Sequence, residues 1–123
     1  MRILVLAREA VDAARVRSAL PGDDLDGAEV LVVAPAEQES KLKFWMSDAD
    51  DAIADASERA DEVADDLRDE GAHARTETGE GDPVVAVRDA LATFPADRIL
   101  VFGDEDLAQE VRSAVDVEVT AAR

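Results

Sequence analysis

The chain has 123 residues, of which 47% are apolar and 35% charged, a globular composition and length that predict a single domain over residues 1–123. With 30 acids against 13 bases the formal net charge is −17, which excludes nucleic acid and anionic membrane surfaces as favourable partners. There is no cysteine, so disulfides and thiolate metal sites are excluded.

The first half of the chain begins with a continuous apolar run over residues 3–7, typical of a parallel strand that is covered on both faces. Charged residues follow at once, so the run is too short for a signal peptide or a membrane span, and we expect a cytoplasmic protein. Residues 11–20 have apolar side chains at helical spacing before a Pro-Gly pair, which predicts a short helix. Residues 30–34 predict a second, fully apolar strand.

The longest predicted helix covers residues 48–70. Ala, Ile, Val and Leu recur along it every three or four residues and form one apolar stripe. The opposite face carries acids, offset only by Arg59 and Arg68. Ser47 provides an N-cap and Gly71 a C-terminal stop.

The second half of the chain continues the alternation of strands and helices. Residues 72–78 predict a polar strand. Asp82-Pro83 then provides an N-cap and a proline in the first turn of a helix that ends near residue 94. Residues 99–102 predict a third apolar strand, followed by a helix of about ten residues. A final strand is predicted where three valines alternate with acids: Val115, Val117 and Val119.

The outer edge of this final strand predicts an interface between two copies of the chain. An edge strand leaves backbone N–H and C=O groups unpaired, which invites pairing with another strand. Two copies that meet about a two-fold axis would pair antiparallel and satisfy both edges. We therefore expect a homodimer through residues 115–119.

The alternation of strands and helices predicts an α/β fold, a three-layer Rossmann-like sandwich on a five-stranded parallel sheet. Central parallel strands are apolar runs, whereas edge strands can be polar or alternating. The first, second and fourth strands are apolar and the other two are not. The strand order 3-2-1-4-5 is therefore favoured over the flavodoxin-like order 2-1-3-4-5.

Few residues offer catalytic or metal-binding chemistry. His73 is the only histidine, so a zinc site or a Ser-His-acid triad lacks partners, and we expect a surface histidine. The acids within residues 48–51 lack the Gly and the closing Glu of an EF-hand loop. The glycine-bearing loop over residues 79–83 opens a helix, but its two carboxylates disfavour phosphate, and a capped turn is the simpler interpretation.

The most unusual segment covers residues 41–46 and holds both lysines and the only Trp. An aromatic and basic cluster on so acidic a chain is typical of stacking and charge attraction toward an anionic ring ligand or an acidic partner. The same side chains could instead cover the open end of the core, and the two roles are compatible. The candidate partner-binding residues are Lys41, Lys43, Phe44 and Trp45.

The order and spacing of these elements resemble those of a universal stress protein, a family of the adenine-nucleotide alpha-hydrolase-like superfamily. The resemblance rests on residues 2–6 at the start, the long helix after the second strand, Gly81-Asp82-Pro83 at the start of the third helix, and residues 96–103 around the fourth strand. It covers most of the chain and implies the strand order 3-2-1-4-5. It also implies that the protein is a dimer.

The resemblance places a nucleotide or other small ligand against five residues: Ala7, Arg8, Val33, Gly81 and Gly103. ATP-binding members carry an Asp at the end of the first strand and a glycine motif after the fourth, which wraps the phosphates. Here the chain reads Ala7-Arg8-Glu9, and only Gly103 matches the glycine motif. Acids occupy residues 104–106, where a triphosphate would lie. We therefore predict that ATP does not bind and that no cofactor is held.

Three functions compete. The leading hypothesis is a non-enzymatic universal-stress-like protein that acts through protein contacts or an unidentified small ligand. The alternative is an adenine-nucleotide-binding universal stress protein or an enzyme of the same superfamily. A response-regulator receiver would need paired acids after the first strand, an Asp after the third and a Lys after the fifth. Arg8-Glu9, Thr78 and a C-terminal half without Lys do not meet these requirements.

The excess of acids also bears on the solvent in which the protein works. Only two bases are Lys, and the other eleven are Arg. Abundant acids with scarce Lys indicate adaptation to a cytoplasm of high salt, where screening removes the self-repulsion. An acidic protein tuned for solubility in an organism with a high-GC genome would have the same composition, so both interpretations stay open.

Overall fold

Strands and helices alternate along the described part of the chain. The computed structural model describes residues 2–7, 13–19, 27–35, 49–79, 82–103 and 105–122. Their elements, in chain order, are β1 (Arg2–Ala7), α1 (Ala13–Ala19), β2 (Glu29–Pro35), α2 (Ala49–Asp69), β3 (His73–Gly79), α3 (Pro83–Thr93), β4 (Arg98–Phe102), α4 (Glu105–Ala114) and β5 (Glu118–Ala122).

The strands form one five-stranded sheet in the order β3-β2-β1-β4-β5, and each neighbouring pair is parallel. The predicted α/β fold and its strand order are therefore confirmed. The central strand β1 pairs with β2 on one side and with β4 on the other. These are the three strands that the sequence presents as apolar runs, because a central strand is covered by helices on both faces.

The core consists of two layers, one on each face of the sheet. Alternate residues of β1 point to opposite faces, so Ile3 and Val5 lie in one layer and Leu4 and Leu6 in the other. The first layer also contains buried residues of α1 and α2, and the second contains those of α3 and α4. The helices therefore cover both faces of the sheet, as expected for a three-layer sandwich.

Helix α2 buries the apolar stripe that its sequence predicts, and its described core positions are Ala60, Val63, Ala64 and Leu67. The helix ends at Asp69, and the chain leaves it at Gly71, whose φ is +92°. There the N–H of Gly71 donates to the Arg68 carbonyl at 3.0 Å, and the N–H of Ala72 donates to the Leu67 carbonyl at 3.1 Å. This pair of bonds is a Schellman motif, which needs a residue of positive φ at the position of Gly71.

Helix α3 begins as its sequence predicts. The Asp82 side chain accepts a hydrogen bond of 2.9 Å from the backbone N–H of Val84, and Pro83 occupies the first turn. A proline is tolerated there because the first N–H groups of a helix have no partner within the helix.

The last strand begins later than its alternating valines predict. Strand β5 covers Glu118–Ala122, so of the three predicted dimer-edge residues only Val119 lies in it, and Val115 and Val117 precede it. Those two valines are partly buried against the core layer of α3 and α4. Alternating valines can pack one side of a segment on this core layer whether or not its backbone pairs with a neighbouring strand. The alternation therefore did not locate the start of β5.

The register of β5 is consistent with contacts from β4. Arg98, whose side chain is 14% exposed, donates from Nη2 to a Glu118 carboxylate oxygen and from Nη1 to the Thr120 hydroxyl, both at 3.1 Å. Arg98 is the residue of β4 that pairs with Glu118. These contacts hold residues 118–120 beside β4 and place the start of the strand at Glu118.

Across the described residues, no helix has both the length and the apolar character needed to cross a lipid bilayer.

Candidate functional site

The carboxyl edge of the sheet holds the candidate ligand site. In open parallel sheets, ligands bind outside the carboxyl ends of the strands, where the chain turns to opposite sides of the sheet. Here that point lies between β1 and β4, since β2 follows β1 on one side and β4 lies on the other. Strand β1 ends at Ala7 and strand β4 ends at Phe102, and the two residues are paired.

A guanidinium from α2 occupies part of this edge. Arg59 donates from Nε to the carbonyl of Ala7 and from Nη2 to the carbonyl of Pro35, both at 3.0 Å. These carbonyls end β1 and β2. A planar guanidinium with several fixed donors suits such a double contact, so the carbonyl ends of two neighbouring strands share one partly buried cation.

A second cation lies at the end of β4. The guanidinium carbon of Arg15, on α1, is 5.4 Å from the centroid of the Phe102 ring. That ring is fully buried. Stacking of this kind holds a guanidinium over an aromatic face. Arg15 and Arg59 therefore bring two positive charges to the carboxyl edge from the α1 and α2 side of the sheet.

The residues predicted to contact a small ligand differ in burial and in the direction of their side chains. Ala7 is buried at the end of β1, and its carbonyl accepts from Arg59. Val33 is fully buried, and its side chain belongs to the core layer of α3 and α4. Gly103 is exposed directly after β4. Arg8 and Gly81 lie outside the described residues.

The start of α4 carries acids at this edge. Glu105 and Asp106 are exposed in the first turn of the helix, where carboxylates interact favourably with the positive end of the helix dipole. Glu105 also forms an ion pair of 3.3 Å with Arg112, two turns further along the same helix. The third acid of the predicted triplet, Asp104, lies outside the described residues.

The other predicted functional residues lie away from this edge or outside the described residues. Lys41, Lys43, Phe44 and Trp45 lie outside the described residues, so their role in partner binding stays a prediction. His73 is exposed at the start of β3, which confirms a surface histidine. Within the described ranges, no three His, Asp or Glu side chains are grouped closely enough to hold a metal ion.

Sequence reasoning did not identify Arg59 and Arg15 as site residues. Arg59 stands out on α2 as one of two cations among acids, and it directly precedes the buried Ala60. A cation beside the buried stripe of a helix is a signal that its side chain reaches the sheet. Nothing along the chain, however, indicates which carbonyls it would meet.

Comparison with known proteins identifies the fold. The sequence matches no protein-family profile and no curated protein. Among solved structures, it is similar to a universal stress protein from Archaeoglobus fulgidus with a TM-score of 0.72 and 22% identity, covering 100% of this chain and 98% of that one. It is also similar to a protein of the universal stress protein family from Burkholderia pseudomallei with a TM-score of 0.56 and 16% identity, covering 96% and 93%.

These likenesses extend over essentially the whole chain, and they show that the protein has the fold of universal stress proteins. The resemblance inferred from the sequence is therefore confirmed at the level of the fold. A shared fold does not by itself assign a ligand, because one fold serves many functions.

Proposed function

We propose that this protein is a non-enzymatic, universal-stress-like binding protein that acts through protein contacts or a small ligand other than ATP. The observation that carries the proposal is the double contact of Arg59 with the carbonyls of Ala7 and Pro35. Because these carbonyls at the ends of β1 and β2 accept hydrogen bonds from Arg59, they serve a contact within the protein at the edge where a nucleotide would otherwise bind.

The residues around this contact support the exclusion of ATP. By resemblance, ATP-binding members hold the adenine with an Asp at the end of β1, and Ala7 has no carboxylate. After β4, Gly103 leads to the exposed acids Glu105 and Asp106, whose charge repels a triphosphate. An anion with less charge would meet Arg15 and Arg59 on the opposite side of the same edge.

Within the described residues, the position of the one histidine supports a binding role. General acid–base and nucleophilic catalysis need groups held within hydrogen-bond reach of each other. The only histidine of the chain, His73, lies at the start of β3, whereas Ala7 and Gly103 lie at the carboxyl edge. It therefore stands at the opposite edge of the sheet from the candidate site.

Protein contacts form the second half of the proposal. Strand β5 is the last strand of the sheet and pairs with β4 on one side. Its other edge offers backbone donors and acceptors to a second copy, so we propose a homodimer through β5. The segment with Lys41, Lys43, Phe44 and Trp45 is the proposed surface for an acidic partner.

The competing function is adenine-nucleotide binding, which the resemblance to universal stress proteins implies. Titration calorimetry with Mg-ATP in about 0.15 M salt separates the two functions. We expect no saturable heat with Mg-ATP. A dissociation constant in the low micromolar range, about −8 kcal/mol, would overturn the proposal. Native mass spectrometry of gently purified protein checks the same point, since a retained nucleotide would add its mass to the protein.

A further inference from the structure

A groove at the amino edge of the sheet, opposite the candidate site, has a charge unlike the rest of the molecule. Its volume is about 560 Å³, within the range of roughly 300–1,000 Å³ that small-molecule sites occupy. Strands β1, β2 and β3 contribute to it together with the ends of α2 and α3. The lining residues that matter here are Arg2, Glu29, Arg68, His73, Arg75 and Phe94.

The strand register brings the lining side chains of β1, β2 and β3 to the face of the sheet that α3 and α4 cover. Arg68 reaches the groove from the end of α2, which covers the other face. Arg2 pairs with Glu29 across β1 and β2, and Glu29 pairs with His73 across β2 and β3. The three residues thus form a row along the amino edge. Arg75 lies two residues after His73 and points to the same face, since side chains alternate along a strand. Arg2 and Glu29 form an ion pair of 3.0 Å within the row.

The described lining of the groove has a charge opposite in sign to that of the whole protein. It gathers three of the eleven arginines and the only histidine of a chain whose net charge is −17. Among the described lining residues, Glu29 is the one carboxylate. Two acids flank it and are engaged there. Asp65 pairs with Arg68 at 2.9 Å, and Asp97 accepts from the backbone N–H of Arg2 at 3.0 Å.

Arg68 and Arg75 are both held in place, but their contacts leave different numbers of N–H groups available to a ligand. Arg68 donates from Nε and Nη2 to the Ala74 carbonyl, at 3.2 and 2.9 Å, so it is a fixed positive charge. Arg75 has its guanidinium carbon 5.5 Å from the centroid of the Phe94 ring. Stacking engages the face of a guanidinium and leaves its N–H groups pointing outward in the plane. Within the described part of the chain, these N–H groups make no hydrogen bond.

We propose that this groove binds a small polyanion that carries two or more oxyanion groups, phosphoryl or carboxyl. Arg2 and Arg75 are its clamping residues, and Arg68 supplies further positive potential. Strands β1 and β3 lie two strand spacings apart, about 10 Å. Two long arginine side chains bridge this distance when both contact one ligand that has two charged groups. Guanidinium forks recognise phosphate and carboxylate oxygens with paired hydrogen bonds. A small ligand fits because it stays clear of the acids beyond the groove.

Titration calorimetry at low ionic strength tests this with two probes, pyrophosphate and citrate. We expect saturable binding of at least one probe to the wild type, weakened by added salt. Arg75→Gln and Arg2→Gln should each weaken it by about tenfold or more. Arg75→Lys, which keeps the charge but loses the fork, should lie between wild type and Arg75→Gln. Arg88→Gln removes a positive charge from the exposed face of α3, outside the groove, and should change binding by less than about twofold.

The two probes distinguish the source of the oxyanion. Binding of pyrophosphate alone identifies a phosphoryl ligand, and binding of both identifies oxyanions in general. Failure of both probes to bind folded wild-type protein at millimolar concentration would overturn the proposal, and the arginines would then only offset the negative ends of α2 and α3. Binding that survives in the folded Arg2→Gln/Arg75→Gln double variant would also overturn it, because the anion would then lie elsewhere.

Discussion

The Nε of Arg59 donates a 3.0 Å hydrogen bond to the backbone carbonyl of Ala7, a residue 52 positions earlier in the chain. This bond joins the long helix to the last residue of the central strand. The same guanidinium reaches the end of β2 through the carbonyl of Pro35. One side chain therefore links three elements at the edge where ligands bind in folds of this kind.

Replacement of Arg59 should destabilise the protein. Arg59→Met keeps much of the aliphatic length but removes both donors, so two carbonyls lose a charged partner. We expect the free energy of unfolding to fall by about 1–3 kcal/mol. Urea denaturation followed by circular dichroism measures this, with Arg88→Met as the matched control on an exposed helical face. Equal stability of the two variants would mean that the double contact contributes nothing.

Gly71 should be intolerant of a side chain with a Cβ. Its φ of +92° lies in the left-handed region, and the Schellman bonds at the end of α2 depend on that conformation. Gly71→Ala should lower the free energy of unfolding by about 1–2 kcal/mol. Gly71→Asn should cost less, because Asn adopts this conformation more readily. If Ala and Asn were equally tolerated, the backbone conformation would not be the cause.

Stability should rise with salt. Along α2 the exposed acids include Asp61, Glu62, Asp66 and Asp69, and like charges on one helix face repel each other. Between about 0.05 and 1 M KCl the melting temperature should increase by several degrees, more than when sucrose is added instead. The variant Asp66→Asn/Asp69→Asn should show a smaller increase. A flat or falling melting temperature would contradict salt adaptation.

Dimerisation should depend on the outer edge of β5. Because Val117 precedes the strand, the informative substitution lies inside it, and Ala121→Pro removes a backbone donor there and restricts φ. Sedimentation should show a wild-type dimer that tightens with salt, a folded Ala121→Pro monomer, and a dimer for Ala121→Val, which keeps the donor. A wild type that is monomeric at about 100 μM in high salt would end the proposal.

The sequence by itself determined the elements of this protein and their order in the sheet. Periodicity, caps and stops are carried by neighbouring residues, so Gly71 and Asp82-Pro83 could be assigned without knowledge of the fold. The apolar runs of β1, β2 and β4 indicated central strands because burial on both faces leaves no position for polar side chains. The strand order followed from that difference in burial alone.

Only the tertiary structure decided which distant groups meet. The contacts of Arg59 with Ala7 and Pro35, and the row of Arg2, Glu29 and His73, depend on strand adjacency and register. The start of β5 depends likewise on the contacts of Arg98 with Glu118 and Thr120. No local pattern encodes such contacts, because a long cationic side chain suits many acceptors equally well. The fold selects one acceptor by bringing that acceptor within about 3 Å of the side chain, the distance at which a hydrogen bond forms.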